Sequence, residues 1–248
     1  MKKKNKLQRL DQILVNLGLV SSQSRAQSMI IAGHVLMNDT PVLKPGTLVS
    51  PEANYRLREL EIKYVSRGAL KLKKALEEFE INVQNKIALD VGASTGGFTE
   101  VLLEAGIEKV YTIDVGTNQL AWKIRSDPRV ISKENYNARF LEHDHFKINF
   151  DIVVMDVSFI SIRLILPALQ NVMKIGTQLV VLFKPQFEVA KEFVQEGGIV
   201  KDQDIAQGVM REIIEWANKE MGLTVKGMIP SPIFGADGNH EYLIHWIK

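Results

Sequence analysis

Ile87-Ala-Leu-Asp-Val-Gly-Ala-Ser-Thr-Gly-Gly-Phe-Thr99 is the stretch of the chain that decides its fold. The first five residues form a nearly continuous apolar run, which is typical of a strand buried on both faces of a parallel sheet. A glycine-bearing turn follows at residues 92–97, and residues 98–105 have the composition of a helix. A strand, a glycine turn and a helix in this order begin a nucleotide-binding α/β fold. The sequence therefore predicts an α/β protein with a ligand at this turn.

The spacing of the glycines argues against a dinucleotide ligand. The pattern is Asp-x-Gly-x-x-x-Gly-Gly-Phe, and Ser94 stands where a dinucleotide fingerprint has its second glycine. A ligand with a ribose and an adenine but no phosphates fits better, and S-adenosylmethionine is the obvious one. The alternative is a turn that needs its glycines for geometry alone. The residues of this stretch that we assign to the cofactor are Asp90, Gly92, Ser94, Gly96, Gly97, Phe98 and Thr99.

Charged side chains end three further predicted strands. Asp114 ends the strand at residues 109–114, where a carboxylate can accept hydrogen bonds from ribose hydroxyls. Asp156 ends the next long apolar run, and Lys184 ends the one after it, held extended by Pro185. Ligands in open α/β sheets bind beyond the carboxyl ends of the strands. We therefore expect all three charges in the crevice beside the glycine turn, with Asp114 and Asp156 near the cofactor.

The end of the chain predicts a mixed sheet. Residues 223–228 and 241–247 have the pattern of strands and are joined without a helix, so they should pair antiparallel. This resembles the methyltransferase version of the Rossmann fold, which is mostly parallel with an antiparallel last strand. Helices are expected at residues 164–173 and 207–221, and residues 188–205 are expected to form a mobile polar loop over the site.

Composition excludes several classes of site. The chain has 248 residues and no cysteine, so disulfides, thiolate metal sites and cysteine nucleophiles are excluded. The five histidines show no pairing typical of a metal site, and we expect no metal. No apolar run approaches the roughly 20 residues that span a bilayer, and polar residues interrupt the run after the basic start. A soluble, cytoplasmic protein without a membrane partner is expected.

The amino-terminal part of the chain is basic and has a pattern of its own. Residues 1–63 carry a net charge of +5, whereas the remainder carries −3. Two short helices, a hairpin and a last strand are expected there. The segments that carry a resemblance to the S4 RNA-binding domain, over residues 7–57, are Arg9-Leu-Asp11, Gly18-Leu19, Ser24-Arg-Ala26, Ile31-x-Gly33-x-Val35 and Asn38. The resemblance implies that Arg9 and Arg25 meet an RNA backbone. The alternative is a cap with ordinary surface charges.

A basic helix follows the amino-terminal module. Lys71, Lys73 and Lys74 lie in its first turns, where the helix dipole disfavours cations. Such placement suggests contact with a phosphate or a substrate, and we assign Arg67 and Lys71 to RNA. A solvated basic face is the alternative. The expected organisation is a small α+β S4-like domain at residues 1–58, a linker at 59–66 and a methyltransferase domain at 67–248.

Four charged residues carry a second resemblance. Lys71, Asp156, Lys184 and Glu241 occur in the order of the catalytic tetrad of FtsJ-like ribose 2′-O-methyltransferases. The motifs that resemble the TlyA family more specifically are Tyr64-Val-Ser-Arg-Gly, Asp90 to Thr99, Asp156-Val-Ser-Phe-Ile-Ser161, Lys184-Pro-Gln-Phe-Glu188 and Gly238-Asn-His-Glu241. Without these motifs, two ordinary salt bridges at strand ends would explain the tetrad equally well.

The resemblance implies a reaction and its partners. Members of the TlyA family methylate the 2′-hydroxyl of cytidine in ribosomal RNA, in the large subunit and in some members also in the small one. It implies S-adenosylmethionine as cofactor, with ribosomal RNA or ribosomal subunits as partners, and we expect a monomer. Lys184 is either a general base or a group that positions the hydroxyl. The alternatives are a ribosome-assembly factor with an inactive methyltransferase fold and, from a label used in the family, a haemolysin.

Overall fold

The computed structural model of the protein describes residues 7–20, 22–31, 33–57, 64–235 and 237–248. The chain forms two compact units. One comprises Met1–Glu61 with Phe234–Asn239, and the other comprises Ile62–Ile233 with His240–Lys248. The basic start at residues 1–6 and most of the predicted linker lie outside the described residues, so the predicted domain boundaries stay predictions.

The smaller unit has the predicted two helices followed by short strands, and one further short strand, at Gln8–Arg9, precedes the first helix. Leu10, Leu14, Ala26 and Ile30 are fully buried and join the two helices in one core. Strand β2 pairs antiparallel with β3 and β5, and β1 pairs antiparallel with β4. The elements are β1 (Gln8–Arg9), α1 (Leu10–Asn16), α2 (Gln23–Ile31), β2 (Val35–Met37), β3 (Thr40–Pro41), β4 (Leu48–Val49) and β5 (Tyr55–Leu57).

The larger unit is built on a seven-stranded sheet with the strand order β11-β12-β10-β9-β6-β7-β8. Its elements are α3 (Ala69–Glu78), β6 (Ile87–Val91), α4 (Gly97–Glu104), β7 (Lys109–Ile113), α5 (Trp122–Arg125), β8 (Val130–Lys133), β9 (Phe150–Met155), α6 (Leu166–Leu169), β10 (Met173–Phe183), α7 (Gln203–Met221), β11 (Thr224–Pro230) and β12 (Tyr242–Ile247). Strands β6 to β10 are parallel, whereas β12 runs antiparallel to β10 and to β11. The predicted mixed sheet is confirmed.

The central strands are buried on both faces, as their apolar runs predict. Successive residues of β6 point to opposite sides of the sheet, so Leu89 and Val91 join the core beneath α7, while Ala88 joins the core beneath α3 and α4. Both cores contain fully buried side chains from β9 and β10. The carboxyl ends of β6, β9 and β10 are thereby fixed side by side.

Two predicted elements differ from the structure. The helix expected at residues 164–173 is short: Pro167, which lacks an amide hydrogen, favours the first turn and α6 begins only at Leu166, while a 3-10 turn at Gln170–Val172 leads into β10 already at Met173. Helix α7 begins four residues earlier than predicted, since the carboxylate of Asp202 accepts hydrogen bonds from the N–H groups of Asp204 and Ile205. Within the predicted polar loop, Val189 and Val200 pack on Ala206 of α7.

No helix among the described residues is both long enough and apolar enough to cross a membrane. Nor do the described histidines, aspartates and glutamates include a group of three arranged to hold a metal ion.

Asp90, in strand β6 of the seven-stranded sheet, is a fully buried acid. Its Oδ2 accepts a hydrogen bond of 2.6 Å from the hydroxyl of Thr99, and its Oδ1 has no hydrogen-bond partner among the described residues. Burial raises the pKa of Asp90 to about 7, and the charges of Asp156 and Asp114 act in the same direction. Asp90 therefore keeps its proton in the native state under conditions that ionise it in the unfolded chain.

This difference predicts how stability depends on pH. Because the native state binds the proton of Asp90 more tightly, the free energy of unfolding should fall as the pH rises from about 4 to about 7. The slope from this group is at most about 1.4 kcal/mol per pH unit. Urea titrations of Asp90→Asn, which cannot ionise, should lack this fall, whereas Asp144→Asn at an exposed acid should keep it. Identical profiles for the parent and Asp90→Asn would contradict the assignment.

Candidate active site

A cavity of about 490 Å³ lies at the carboxyl ends of the parallel strands. This volume is in the range of sites for drug-sized ligands. Three of the residues assigned to the cofactor from the glycine turn and the second strand line it, and so does Asp156. Its lining includes Gly92, Ser94, Asp114, Asp156, Ser158 and Phe159.

Gly92 brings β6 and β9 into close contact at the mouth of this cavity. The N–H of Asp156 donates to the carbonyl of Val91 at 3.0 Å, and a Cβ on Gly92 would lie 2.5 Å from the carbonyl oxygen of Asp156. The φ angle of Gly92 is +80°, which a residue with a side chain rarely adopts. This position therefore requires glycine for packing against the protein, whatever ligand it meets.

Asp114 holds the turn and faces the cavity. Its Oδ2 accepts a hydrogen bond of 2.8 Å from the N–H of Ser94, and its Oδ1 accepts one of 2.7 Å from the N–H of Gly116. Each carboxylate oxygen can accept more than one hydrogen bond, so both retain capacity for ligand hydroxyls. The carboxylate is pre-oriented without being saturated.

The rest of the predicted cofactor set is divided by the structure. Gly97 and Phe98 line a second cavity of about 230 Å³. Asp90, Gly96 and Thr99 line neither cavity. A Cβ on Gly96, whose φ angle is +97°, would meet the side chains of Leu120 and Ile124, so this glycine is required by packing.

The second cavity holds the first half of the tetrad. Lys184 Nζ lies 2.6 Å from Asp156 Oδ1 and donates a hydrogen bond of 2.8 Å to the hydroxyl of Ser158. All three side chains line the cavity, together with Lys71. Gly92, Ser94, Asp156 and Ser158 line both cavities, so a ligand in the larger cavity adjoins the lysines.

The second half of the tetrad is the buried ion pair between Lys71 and Glu241. Lys71 Nζ donates to Glu241 Oε2 at 2.6 Å, and the two side chains are only 9% and 2% exposed. Burial raises the pKa of Glu241, while the positive charges of Lys71 and Lys184 act against this rise and the charge of Asp156 adds to it. All four charges thus influence one another, although Glu241 itself does not line the cavity.

Sequence reasoning did not single out Ser158 and Phe159 as site residues. Phe159 is 90% exposed at the cavity, with a φ angle of +64° that is uncommon for an aromatic residue. Its ring centroid lies 5.2 Å from that of Phe187. An aromatic residue three positions after a strand-ending acid is the sequence signal that would have found Phe159.

The four residues assigned to RNA differ in their surroundings. Arg9 donates two hydrogen bonds, of 3.0 and 2.7 Å, to Asp11. Burial of Asp11 disfavours its charge, but hydrogen bonds from Arg9, Gln27 and Gln23 outweigh this and hold the pKa of that carboxyl well below its usual range. Arg9 therefore stabilises the unit itself. Lys71 is buried, Arg25 and Arg67 are partly exposed, and Arg9 is exposed, with 44% of its side chain accessible.

Comparison with known proteins places this geometry in context. Residues 64–248 match the FtsJ-like methyltransferase family, and residues 8–54 match the S4 domain. The 16S/23S rRNA (cytidine-2′-O)-methyltransferase TlyA of Mycobacterium tuberculosis is 43% identical over 97% of this chain and 89% of its own. Hemolysin A of Brachyspira hyodysenteriae is 43% identical over 96% of this chain and 99% of its own. A structure from Streptococcus thermophilus, provisionally named as a hemolysin, superimposes with a TM-score of 0.77 at 42% identity over 98% of this chain and 89% of its own.

The contacts of Asp114 predict its effect on cofactor binding. Asp114→Ala should weaken the binding of S-adenosylmethionine and of its demethylated product by about 1.5–3 kcal/mol, since it removes the carboxylate that we expect to accept hydrogen bonds from the ribose. Asp114→Asn, which keeps one acceptor oxygen, should lose less. Titration calorimetry would measure all three affinities. Asp127→Ala is the matched control, because the carboxylate of Asp127 also accepts a hydrogen bond from a nearby backbone N–H, that of Arg129, and Asp127 lines neither cavity. Equal affinities of the parent and Asp114→Ala would remove Asp114 from the site.

Proposed function

The chain belongs to the FtsJ-like methyltransferase family, and from this premise we propose that it transfers a methyl group from S-adenosylmethionine to the ribose 2′-hydroxyl of cytidine in ribosomal RNA. The observation that carries the proposal is that Lys71, Lys184 and Asp156 line the smaller cavity, which shares part of its wall with the larger, cofactor-sized cavity. The curated name of the Mycobacterium tuberculosis relative supports the choice of nucleotide. Large-subunit RNA is the first substrate to test, and small-subunit RNA the second.

The larger cavity fits the methyl donor. Asp114 supplies acceptors at one side of it, and Ile113, Val115 and Ile160 supply apolar contacts. S-adenosylmethionine, when bound, supplies a methyl group that its sulfonium already activates. What the chain must add is the placement of the hydroxyl oxygen.

Lys184 is the group that would hold that oxygen. An ammonium group has three N–H donors; Lys184 donates one of them to Ser158, and Asp156 Oδ1 lies 2.6 Å from Nζ as its counter-ion. At least one donor remains for the 2′-oxygen. Lys71 lines the same cavity, and Glu241 fixes its direction, so the second lysine can hold the ribose or its adjacent phosphate.

The reaction must release one proton. As the new carbon–oxygen bond forms and the carbon–sulfur bond breaks, the hydroxyl proton leaves the 2′-oxygen. A neutral Lys184 would take this proton itself, whereas a charged Lys184 would only orient the oxygen and the proton would pass to water. The two roles differ in their pH dependence, because only a base loses activity below its own pKa.

Phe159 offers a surface for the target base. Enzymes that act on one nucleotide take it out of the stack and often hold it against an aromatic side chain. Phe159 is exposed beside Ser158, which binds Lys184. A base stacked on this ring would place its ribose near the lysines.

The tetrad predicts a sharp loss of activity. Lys184→Ala should lower the single-turnover rate of methyl transfer to unmodified ribosomal subunits by about 10²–10⁴-fold, because it removes the group nearest the attacking oxygen. Its affinity for the cofactor should change little, and Glu241→Ala, which only orients a partner, should cost less. Lys174→Ala is a matched control, since Lys174 and Asp151 form a 2.6 Å ion pair between the same two strands at their other ends. Near-parental transfer by Lys184→Ala would refute the proposal.

The S4 domain predicts how RNA binding depends on salt. Arg25→Ala should weaken the binding of ribosomal RNA and reduce the slope of log affinity against log salt by about 1, because one phosphate contact is lost. Arg211→Ala, at an exposed residue of α7, should leave the slope unchanged. Filter binding over a series of salt concentrations measures both. An unaltered slope for Arg25→Ala would exclude this arginine from the RNA contact.

A further inference from the structure

Glu188 ties together two segments that follow neighbouring strands. Its Oε2 accepts a hydrogen bond of 2.7 Å from the hydroxyl of Ser161, and its Oε1 accepts one of 2.8 Å from the N–H of Ile162. Ser161 and Ile162 belong to the segment after β9, whereas Glu188 belongs to the segment after β10. The carboxylate is thus a bidentate clamp across the carboxyl edge of the sheet.

The clamp is one of several contacts between the same two segments. The Lys184–Asp156 ion pair and the Lys184–Ser158 hydrogen bond join them at the tetrad, and the rings of Phe159 and Phe187 meet above it. Glu188 is the outermost of these contacts along both segments, and it lines neither of the two cavities. It therefore acts on the site only through what it holds.

The clamp holds a strained segment. Phe159 has a φ angle of +64° and only a tenth of its surface covered, so its own packing contributes little to keeping it in place. Conformations of this kind persist only where the surroundings impose them. Ser161, the next residue but one, is fixed by Glu188 and in turn caps the N–H of Arg163. Phe187, the residue before Glu188, supplies the ring against which Phe159 lies.

A partly buried carboxylate is a costly way to close a loop. Burial raises the pKa of Glu188, although the hydrogen bonds from Ser161 and Ile162 and the charge of Arg163 act against this rise. Apolar contacts would close the same loop without removing a charge from water. What the carboxylate adds is direction, because two hydrogen bonds to one rigid group fix the orientation of the segment as well as its distance.

We infer that Glu188 is a positioning residue for the substrate nucleoside: by fixing the segment from Ser158 to Ile162, it holds the ring of Phe159 where the target base must stack. The inference rests on the proposed function and extends it to a residue that touches neither cofactor nor RNA. Loss of Glu188 leaves Asp114 and Ser94 of the cofactor cavity in place and frees only the wall that Ser158, Phe159 and Ile160 form. The nucleoside is then presented to Lys184 in many orientations.

The test compares variants of the full chain on unmodified ribosomal subunits at saturating S-adenosylmethionine. Glu188→Ala should lower kcat by about 10- to 100-fold, the cost expected for a misplacement of about 1 Å, with KM for the subunits changed less than threefold. Calorimetry should give an affinity for S-adenosylmethionine close to that of the parent, because the contact of Asp114 with Ser94 on the other side of the cavity does not depend on Glu188. Glu188→Gln should recover most of kcat, because its amide oxygen still accepts from the N–H of Ile162 and its amide N–H can donate to Ser161. Glu192→Ala, at an exposed glutamate nearby, is the control.

A double-mutant cycle distinguishes positioning from general damage. If Glu188 acts through Phe159, the double variant Glu188→Ala/Phe159→Ala should be no slower than Phe159→Ala alone. Additive losses would overturn the inference, as would a parental kcat for Glu188→Ala or a loss that Glu188→Gln does not recover. If Glu188→Ala fails to fold, Ser161→Ala, which removes one of the two hydrogen bonds, takes its place in the cycle. Should the parent itself methylate no ribose, the proposed function fails, and this outcome is distinct from the others.

Discussion

The close approach of two strand ends at Gly92 and Asp156 is the constraint on which the site depends. Because Gly92 has no Cβ, its backbone lies against the carbonyl of Asp156, and the N–H of Asp156 bonds to Val91. Both residues line both cavities. A side chain at position 92 would separate β6 from β9 and move the Asp156 carboxylate away from Lys184. The same contact therefore sets the position of the cofactor cavity and that of the tetrad.

The two ion pairs of the tetrad serve orientation more than stability. Removing charges from water is costly, and a buried pair often contributes little to the free energy of unfolding compared with apolar side chains of similar size. Lys71 and Glu241 are nevertheless almost completely buried at a hydrogen-bonding distance of 2.6 Å. Lys184 is held by a carboxylate and a hydroxyl together. Side chains fixed in this way lose little entropy when a substrate binds, which is what a reaction driven by placement requires.

The sequence was sufficient for the parts of the fold that short-range patterns determine. The apolar runs predicted the parallel strands and the mixed sheet, and the charged ends of these runs predicted a cluster that includes Asp156 and Lys184. Contacts between segments distant in sequence could not be predicted. Asp90 and Gly96 lie in the motif that predicts cofactor contacts, yet they line neither cavity. The clamp made by Glu188 depends on the register of β9 against β10. Pro167 lies in the first turn of α6, so this helix begins later than hydrophobic periodicity alone predicts.

Transfer of tritium-labelled methyl groups to unmodified ribosomal subunits, followed by alkaline hydrolysis of the RNA, tests the central claim most directly. A 2′-O-methyl group removes the hydroxyl that attacks the neighbouring phosphodiester in alkali, so a methylated ribose leaves an alkali-resistant dinucleotide. The account predicts that the label is recovered in such dinucleotides with cytidine as the methylated nucleoside. Label in mononucleotides, which marks methylation of a base, or the absence of label from RNA would contradict it.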